Sequence, residues 1–447
     1  MSYNKEQLSR YALMAEQSGI MDNELYTRHD VKRGLRDING KGVVAGLTEI
    51  SEIIAFEDDG VTPAEGKLLY RGYNIRDLAK GFLSDKRFGL EEVAFLLLFG
   101  DLPNKAQYEE FLKLISEERT LPDSFTRNSI MNIAGKDLTN MIARCVLSLY
   151  AYDENADDTS IENVIYQSVS LIARLPVIAV YSYHAYNHKF NNQSLVIHPP
   201  KPEYSIAENI LHMLRPDSEF TELEARILDL TLTLHAEHGG GNNSTFTNHV
   251  VTSSGTDTYS AVVASLCSLK GPRHGGANVK VVEMIDDLKA NVSDWENEDE
   301  IAEYIRKLLN KQAYDRQGLV YGMGHAVYSL SDPRSELMKS FAEKLAIENN
   351  CIENYNLYTR IARIAPQVIA EERKIYKGVS ANVDFYSGLV YRMLNLPEEL
   401  YTPLFAIARI CGWSAHRIEE LVNRGKIIRP AYRAVSQRRD YINMEER

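Results

Sequence analysis

Apolar residues recur at helical spacing along most of this chain. Leu223, Ile227, Leu230 and Leu234 follow at four, three and four positions, which puts them on one face of an α-helix. Thr221 with Glu224 supplies a capping box, and Gly239-Gly240-Gly241 a stop, so a helix is predicted to about His238. The same spacing predicts helices over 91–99, 138–152, 161–186, 258–270, from Ala277 onward, over 299–310 and over 354–376. Pro176 and Pro366 fall inside two of these runs, where a proline should kink or end the helix. Asp332-Pro333 and Thr402-Pro403 each read as an N-cap followed by a first-turn proline, opening helices that run to Asn349 and nearly to Gly425. Strand-like pieces are confined to Val43–Ile50 and Lys67–Tyr73, separated by Asp58-Asp59-Gly60 and Thr62-Pro63 turn chemistry. Residues 1 to about 40 are charged and weakly patterned apart from a helix near the start, and are candidates to wrap a partner. With many helices, few strands, no βαβ alternation and no internal repeat, the class is mainly α.

Composition adds two constraints. The 447 residues are 44% hydrophobic, enough for sizeable cores. A net charge of −12 argues against nucleic acid as a partner and would repel an anionic metabolite, so any such substrate needs a local cationic pocket. Arg424, Lys426, Arg429, Arg433, Arg438 and Arg439 precede Asp440 and are one possible supply, or else a solvated basic tail. No run of eighteen apolar residues occurs, and Met1-Ser-Tyr-Asn-Lys-Glu-Gln has no apolar stretch behind it, so the expectation is no membrane contact and a cytoplasmic location. Cys145, Cys267, Cys351 and Cys411 are widely spaced without CxxC pairing and read as reduced, structural residues.

Four blocks carry candidate chemistry. Gly271-Pro272-Arg273-His274-Gly275-Gly276-Ala277-Asn278 holds an imidazole in a bent, small-residue loop, open to a ligand. His235 and His238, three apart in the predicted last helical turn, would share a face, and Asn242 adds an amide donor. C-terminal capping, a metal pair and anion binding all remain open for that pair. Gly322-Met323-Gly324-His325-Ala326-Val327-Tyr328 repeats the loop-histidine design, with Asp332-Pro333-Arg334 close behind. Asp384, in Asn382-Val383-Asp384, stands at a helix start and is either an N-cap or a reactive carboxylate. Arg409 lies among Ile407, Ala408, Ile410 and Cys411, so its guanidinium approaches buried surface and needs an anion, whether a structural carboxylate or a substrate.

In order and spacing, His235-Ala-Glu-His238-Gly-Gly-Gly-Asn242, the His274 loop, Gly322-Met-Gly-His325 with Asp332-Pro-Arg334, and Asn382-Val-Asp384 resemble the citrate synthase family. The resemblance extends from Gly66-Lys-Leu-Leu-Tyr-Arg71-Gly-Tyr through Arg409-Ile-Cys-Gly-Trp413-Ser-Ala-His416 to Arg429-Pro430, roughly residues 40 to 435. It implies a two-domain helical homodimer. Residues 1–273 and 385–447 would form the large domain, including a small β segment at about 42–73 and a tail reaching the partner subunit, and residues 274–384 the small one. It further implies His274, His325 and Asp384 as catalytic groups, and His235, His238, Asn242, Arg334, Arg409 and Arg429 as binding oxaloacetate, the last across the dimer interface. Leu319, Gly322, Gly324 and Ala326 would lie against coenzyme A. No tightly bound cofactor and no metal are implied, acetyl-CoA being a co-substrate. Where several relatives carry an arginine four residues after the second loop histidine, this chain has Ser329, leaving Lys377 or Arg273 as guesses for a coenzyme A phosphate.

The implied reaction joins acetyl-CoA to oxaloacetate by enolisation, aldol-type condensation and thioester hydrolysis. 2-Methylcitrate synthase, acting on propionyl-CoA with the same groups, is the near alternative, since one methylene changes binding by only about 1–3 kcal/mol. A metal-dependent hydrolase built on His235 and His238, and a catalytically silent helical dimer, are the distant ones.

Overall fold

The longest helix among the described residues has 31 residues, Ile161–Asn191, and is about 46 Å long at 1.5 Å per residue. By length and composition it would cross a membrane, but 83% of its apolar window is buried inside the protein. Helices Leu138–Leu149, Lys105–Glu118, Ile206–Leu214 and Tyr401–Val422 pack against it, and it serves as the centre of the core. It does not end at Pro176. Pro176 and its neighbours Ile172, Leu175, Val177 and Ile178 are all buried, and that burial offsets the lost backbone hydrogen bond. Helix Ile352–Arg373 likewise runs through Pro366.

This computed structural model describes residues 5–37, 41–57, 59, 62–272, 274–324, 327–328, 330–374 and 378–447. His325 and Ala326 therefore lie outside the described residues, as do Arg273, Ser329 and Lys377. Two compact units are present, residues 1–47 and 48–447. The first contains helices Lys5–Gly19 and Asn23–Arg28 and a short 3₁₀ turn at Arg33–Leu35. The second holds the core, and among the described residues α-helices dominate it, as the hydrophobic spacing predicts.

The single sheet among the described residues is antiparallel, in the order β1 (Ser51–Phe56), β2 (Pro63–Tyr70), β3 (Tyr73–Asn74). Ser51 faces Tyr70 and Ile53 faces Leu68, while Arg71 and Gly72, both at positive φ, make the two-residue turn into β3. The strand expected over Val43–Ile50 is not formed. Val44 and Leu47 are 82% and 95% exposed and only Ile50, at the end of the run, is buried, so little covered surface rewards pairing there, and the strand forms in the next six residues.

Helices absent from the sequence reading include Ile75–Ser84, Lys105–Glu118, Ile206–Leu214 and Asn243–Thr252. The predicted Thr402 cap is also corrected. The last long helix starts at Tyr401 behind a 3₁₀ turn, Glu398–Leu400, and the Thr402 hydroxyl instead donates to the Gly275 carbonyl at 3.1 Å. That bond ties the helix to the His274 loop.

Candidate active site

The helix predicted to reach His238 stops at His235. Its end is set by distant groups. Arg409 Nε donates to the His235 carbonyl at 2.7 Å, the Gly412 amide to Ala236, and the Tyr70 hydroxyl to Glu237 at 3.0 Å. These bonds draw the terminal carbonyls out of the helical direction, so His235 and His238 are not an i, i+3 pair on one helix face. Within the helix, the Nδ1 of fully buried His235 lies 2.7 Å from the Thr231 carbonyl and donates to it. Its Nε2 is buried without a hydrogen bond. His238 packs edge-on against Tyr328, ring centres 5.6 Å apart.

Phe405 gathers three of the predicted groups. Its ring lies 4.9 Å from that of His235, 6.3 Å from that of His274 and 4.7 Å beneath the Arg409 guanidinium. Arg409 is 1% exposed, and its Nη1 is buried without a hydrogen-bond partner. Burial draws its affinity for the proton down to about 10, against the pull of Glu237. A buried guanidinium with a vacant donor is what a dicarboxylate site requires.

The His274 loop joins helix Thr258–Leu269 to helix Ala277–Asn291. Burial, with Arg409 nearby, lowers the His274 imidazole to about 4, so it is neutral near pH 7. Its Nε2 is 3.0 Å from the Ser244 hydroxyl, which also receives the Trp413 indole N–H at 3.1 Å and lies 3.0 Å from the Asn242 side-chain oxygen. Ser244 has one proton for two acceptors. If it goes to Asn242, His274 carries its hydrogen on Nε2. If it goes to His274, Nδ1 carries the hydrogen and can donate elsewhere. Sequence reasoning passes over Ser244, because a serine in a first helical turn is ordinary.

Asp384 is not the cap of its helix. Asn382 takes that place, its side-chain oxygen accepting the Asp384 amide at 3.0 Å, which leaves the Asp384 carboxylate for other work. Burial, reinforced by Asp332 and opposed by Arg334 and Arg409, raises that carboxylate to about 6. Segment 380–382 also pairs with the glycine loop. Gly324 N donates to Ser380 O at 2.8 Å, Asn382 N to Gly322 O at 2.9 Å, and the Asn382 amide to Gly324 O at 2.9 Å. Gly322 sits at φ +78, and a methyl group there would collide with Val281 and Phe385. Leu319, farther up the loop, is 54% exposed.

Asp332 joins this region to the arginines. It caps helix Pro333–Glu348, as its sequence pattern predicts, grips the Arg334 guanidinium with both oxygens, and accepts the Val383 amide at 3.3 Å. Arg334 and Arg409 lie close enough to both His235 and Asp384 to shift the ionisation of each. Arg429 does not join them within this chain: it is exposed on the C-terminal segment, next to Ile428, whose amide donates to Ser253. Among the described residues no three His, Cys, Asp or Glu side chains are grouped to hold a metal ion.

The chain matches the family model described as citrate synthase, C-terminal domain, over residues 35–431. A citrate synthase from Synechocystis is 33% identical over 96% of each chain. A 2-methylcitrate synthase from Shewanella oneidensis is 32% identical over 89% of this chain and 95% of its own. Among solved structures, a citrate synthase from Pyrobaculum aerophilum superposes with a TM-score of 0.75 at 28% identity, covering 92% of this chain and 95% of that one. The Thermoplasma acidophilum enzyme, solved with carboxymethyl coenzyme A and oxaloacetate, gives 0.74 at 25% identity over 93% and 99%. The match spans every block on which the site is built, from the β-hairpin to Arg429, and the chain belongs to the citrate synthase family.

Proposed function

We propose that this protein condenses acetyl-CoA with oxaloacetate and water to give citrate and coenzyme A. One observation carries the reading beyond family membership: a carboxylate held near neutrality, Asp384, and a neutral imidazole, His274, stand around the buried cations Arg409 and Arg334. An acetyl methyl is a poor carbon acid, and its enolisation needs a base together with a donor to the developing enolate oxygen. Asp384 is the base. A carboxylate at about 6 is ionised at pH 7 and still basic enough to take a proton. His274 is the donor, through Nδ1, which requires the Ser244 proton to point at Nε2.

The enolate carbon then attacks the ketone carbon of oxaloacetate, and a carbon–carbon bond forms while the ketone oxygen takes up a proton. The family resemblance assigns that proton to His325. Water finally cleaves the thioester, releasing coenzyme A as the thiol. Arg409 and Arg334, with His235, His238 and Asn242, hold the dicarboxylate, and the loop bearing Leu319, Gly322 and Gly324 covers coenzyme A. On the same reading residues 274–384 close over the substrates as a small domain, and Arg429 completes the site of a partner subunit in a homodimer.

The presence of both citrate and 2-methylcitrate synthases among relatives of nearly equal identity keeps propionyl-CoA as the second reading. A thiol-release assay with oxaloacetate, run with acetyl-CoA and propionyl-CoA side by side, tests both. A higher kcat/KM for acetyl-CoA is expected. Preference for propionyl-CoA would transfer the assignment, and no thiol release from either would remove it.

A further inference from the structure

Two opposite charges are buried near each other and do not pair. Arg409 Nη1 has no hydrogen-bond partner, and neither has Glu237 Oε2. Each side chain shifts the other's ionisation, and an ion pair between them would satisfy both atoms.

The other oxygen of the carboxylate is what is held. Glu237 Oε1 accepts His416 Nε2 at 3.0 Å, the Ser51 hydroxyl at 2.9 Å and the Gly239 amide. Glu237 and His416 are both 0% exposed. Arg409, Gly412 and His416 are three and four residues apart, hence on one face of helix Tyr401–Val422. A side chain at Gly412 would strike Glu237 Oε2, so the missing side chain there gives the carboxylate its room beside His416.

The hydrogen bonds fix the charge of this row. His416 Nε2 faces a carboxylate and must donate. His416 Nδ1 is 3.2 Å from His249 Nε2 and 3.7 Å from a Glu419 oxygen, and His249 Nδ1 is 3.0 Å from Glu420 Oε2. Burial, with His416 beside it, lowers His249, so it is neutral, spends its one hydrogen on Glu420 and offers His416 a lone pair. Both His416 nitrogens carry hydrogen, and the ring is a buried cation. The electrostatics agree. Burial would lower His416, but Glu237 holds it up at about 9. Burial would raise Glu237, but His416 brings it down to about 2.

We infer that His416 is a positioning residue of the oxaloacetate site: its buried positive charge keeps Glu237 turned away from Arg409, so that Arg409 retains a vacant guanidinium edge for a substrate carboxylate. The inference rests on the reading that Arg409 binds oxaloacetate. Without the imidazolium, the nearest unsatisfied cation for Glu237 is Arg409, and the protein's own carboxylate becomes a competitor of the substrate.

The test is oxaloacetate KM and kcat for the unaltered protein, His416→Leu, Glu237→Gln and the double variant. His416→Leu should raise KM about tenfold or more while lowering kcat much less. Adding Glu237→Gln removes the competing charge and should reverse most of that KM increase. A double variant as impaired as His416→Leu, or a loss confined to kcat, would overturn the inference. Should His416→Leu fail to fold, His416→Gln removes the charge while keeping a donor, and the same pattern is expected in both Glu237 backgrounds. Thiol release by the unaltered protein checks the underlying reaction separately. Oxaloacetate titration by calorimetry on the same proteins reads the role of His416 even if that reaction is wrong.

Discussion

Asp332 holds Arg334 by a two-pronged ion pair, Nε to Oδ1 at 3.0 Å and Nη2 to Oδ2 at 2.7 Å, with the side chains 0% and 3% exposed. Asp332→Asn breaks a buried pair and leaves an uncompensated guanidinium, which typically costs about 3–5 kcal/mol. Chemical denaturation should show a loss of that size, and oxaloacetate KM should rise as Arg334 drifts. An unchanged denaturation midpoint would mean that solvent reaches the pair freely.

Asp384→Asn should leave oxaloacetate binding nearly intact and abolish exchange of the acetyl methyl protons, because an amide fills the space but cannot accept a proton. In the unaltered protein, kcat/KM should fall as pH drops through about 6, where the base becomes protonated. The stability effect has the opposite sense. Burial raises this carboxylate, so the folded state favours the acid form, and ionising it costs stability as pH climbs from the ordinary carboxylate range through about 6. At pH 7 Asp384→Asn should therefore raise the melting temperature, by a stabilisation on the order of 3 kcal/mol. A melting temperature below that of the unaltered protein would contradict this.

His274→Ala removes the proposed enolate donor, for which losses of about 10²–10³ in turnover are typical. Combined with Asp384→Asn it should be little worse than the more damaging single change, since both groups act in one transition state. Preformed citryl-CoA bypasses proton abstraction, and His274→Ala should hydrolyse it with less impairment than it handles acetyl-CoA. Equal impairment on the two substrates would assign His274 to a different step.

Ser244→Ala takes away the hydroxyl between His274, Trp413 and Asn242. Nothing then selects the tautomer in which Nδ1 carries hydrogen, and kcat should fall about tenfold with a smaller change in oxaloacetate KM. Methyl-proton exchange should fall in parallel. Normal exchange with slow overall turnover would place the effect after enolisation.

Arg409→Leu and Arg429→Leu should each raise oxaloacetate KM strongly. Only Arg429 is expected to act in trans. Mixing Arg429→Leu subunits with Asp384→Asn subunits should restore part of the activity, by placing both lesions in one site of a mixed dimer. No recovery despite demonstrated subunit exchange would remove Arg429 from the partner's site.

What the sequence made legible was local. The capping box at Thr221, the Asp332-Pro333 start and the loop around His274 depend on neighbours within a few residues, and all appear in place. Helix ends decided by distant groups were not legible. His238 leaves its helix because Arg409, Gly412 and Tyr70 claim the preceding carbonyls, and no local pattern announces that. Pro176 looked like a break because the energy that carries the helix through it comes from tertiary burial. Ser244 and Glu237 were passed over for a related reason. Each is an ordinary residue by type, and its part comes from what lies across the fold.

The paired backbone of the glycine loop and segment 380–382 bears on timing. Gly322 and Gly324 share three hydrogen bonds with the residues that lead directly into Asp384. On the proposed reading, the strap that closes over coenzyme A and the handle that aims the base are stitched to each other. Docking of the thioester and the aim of the base should therefore be coupled, so that a substitution which loosens the glycine loop slows enolisation as well as weakening coenzyme A binding.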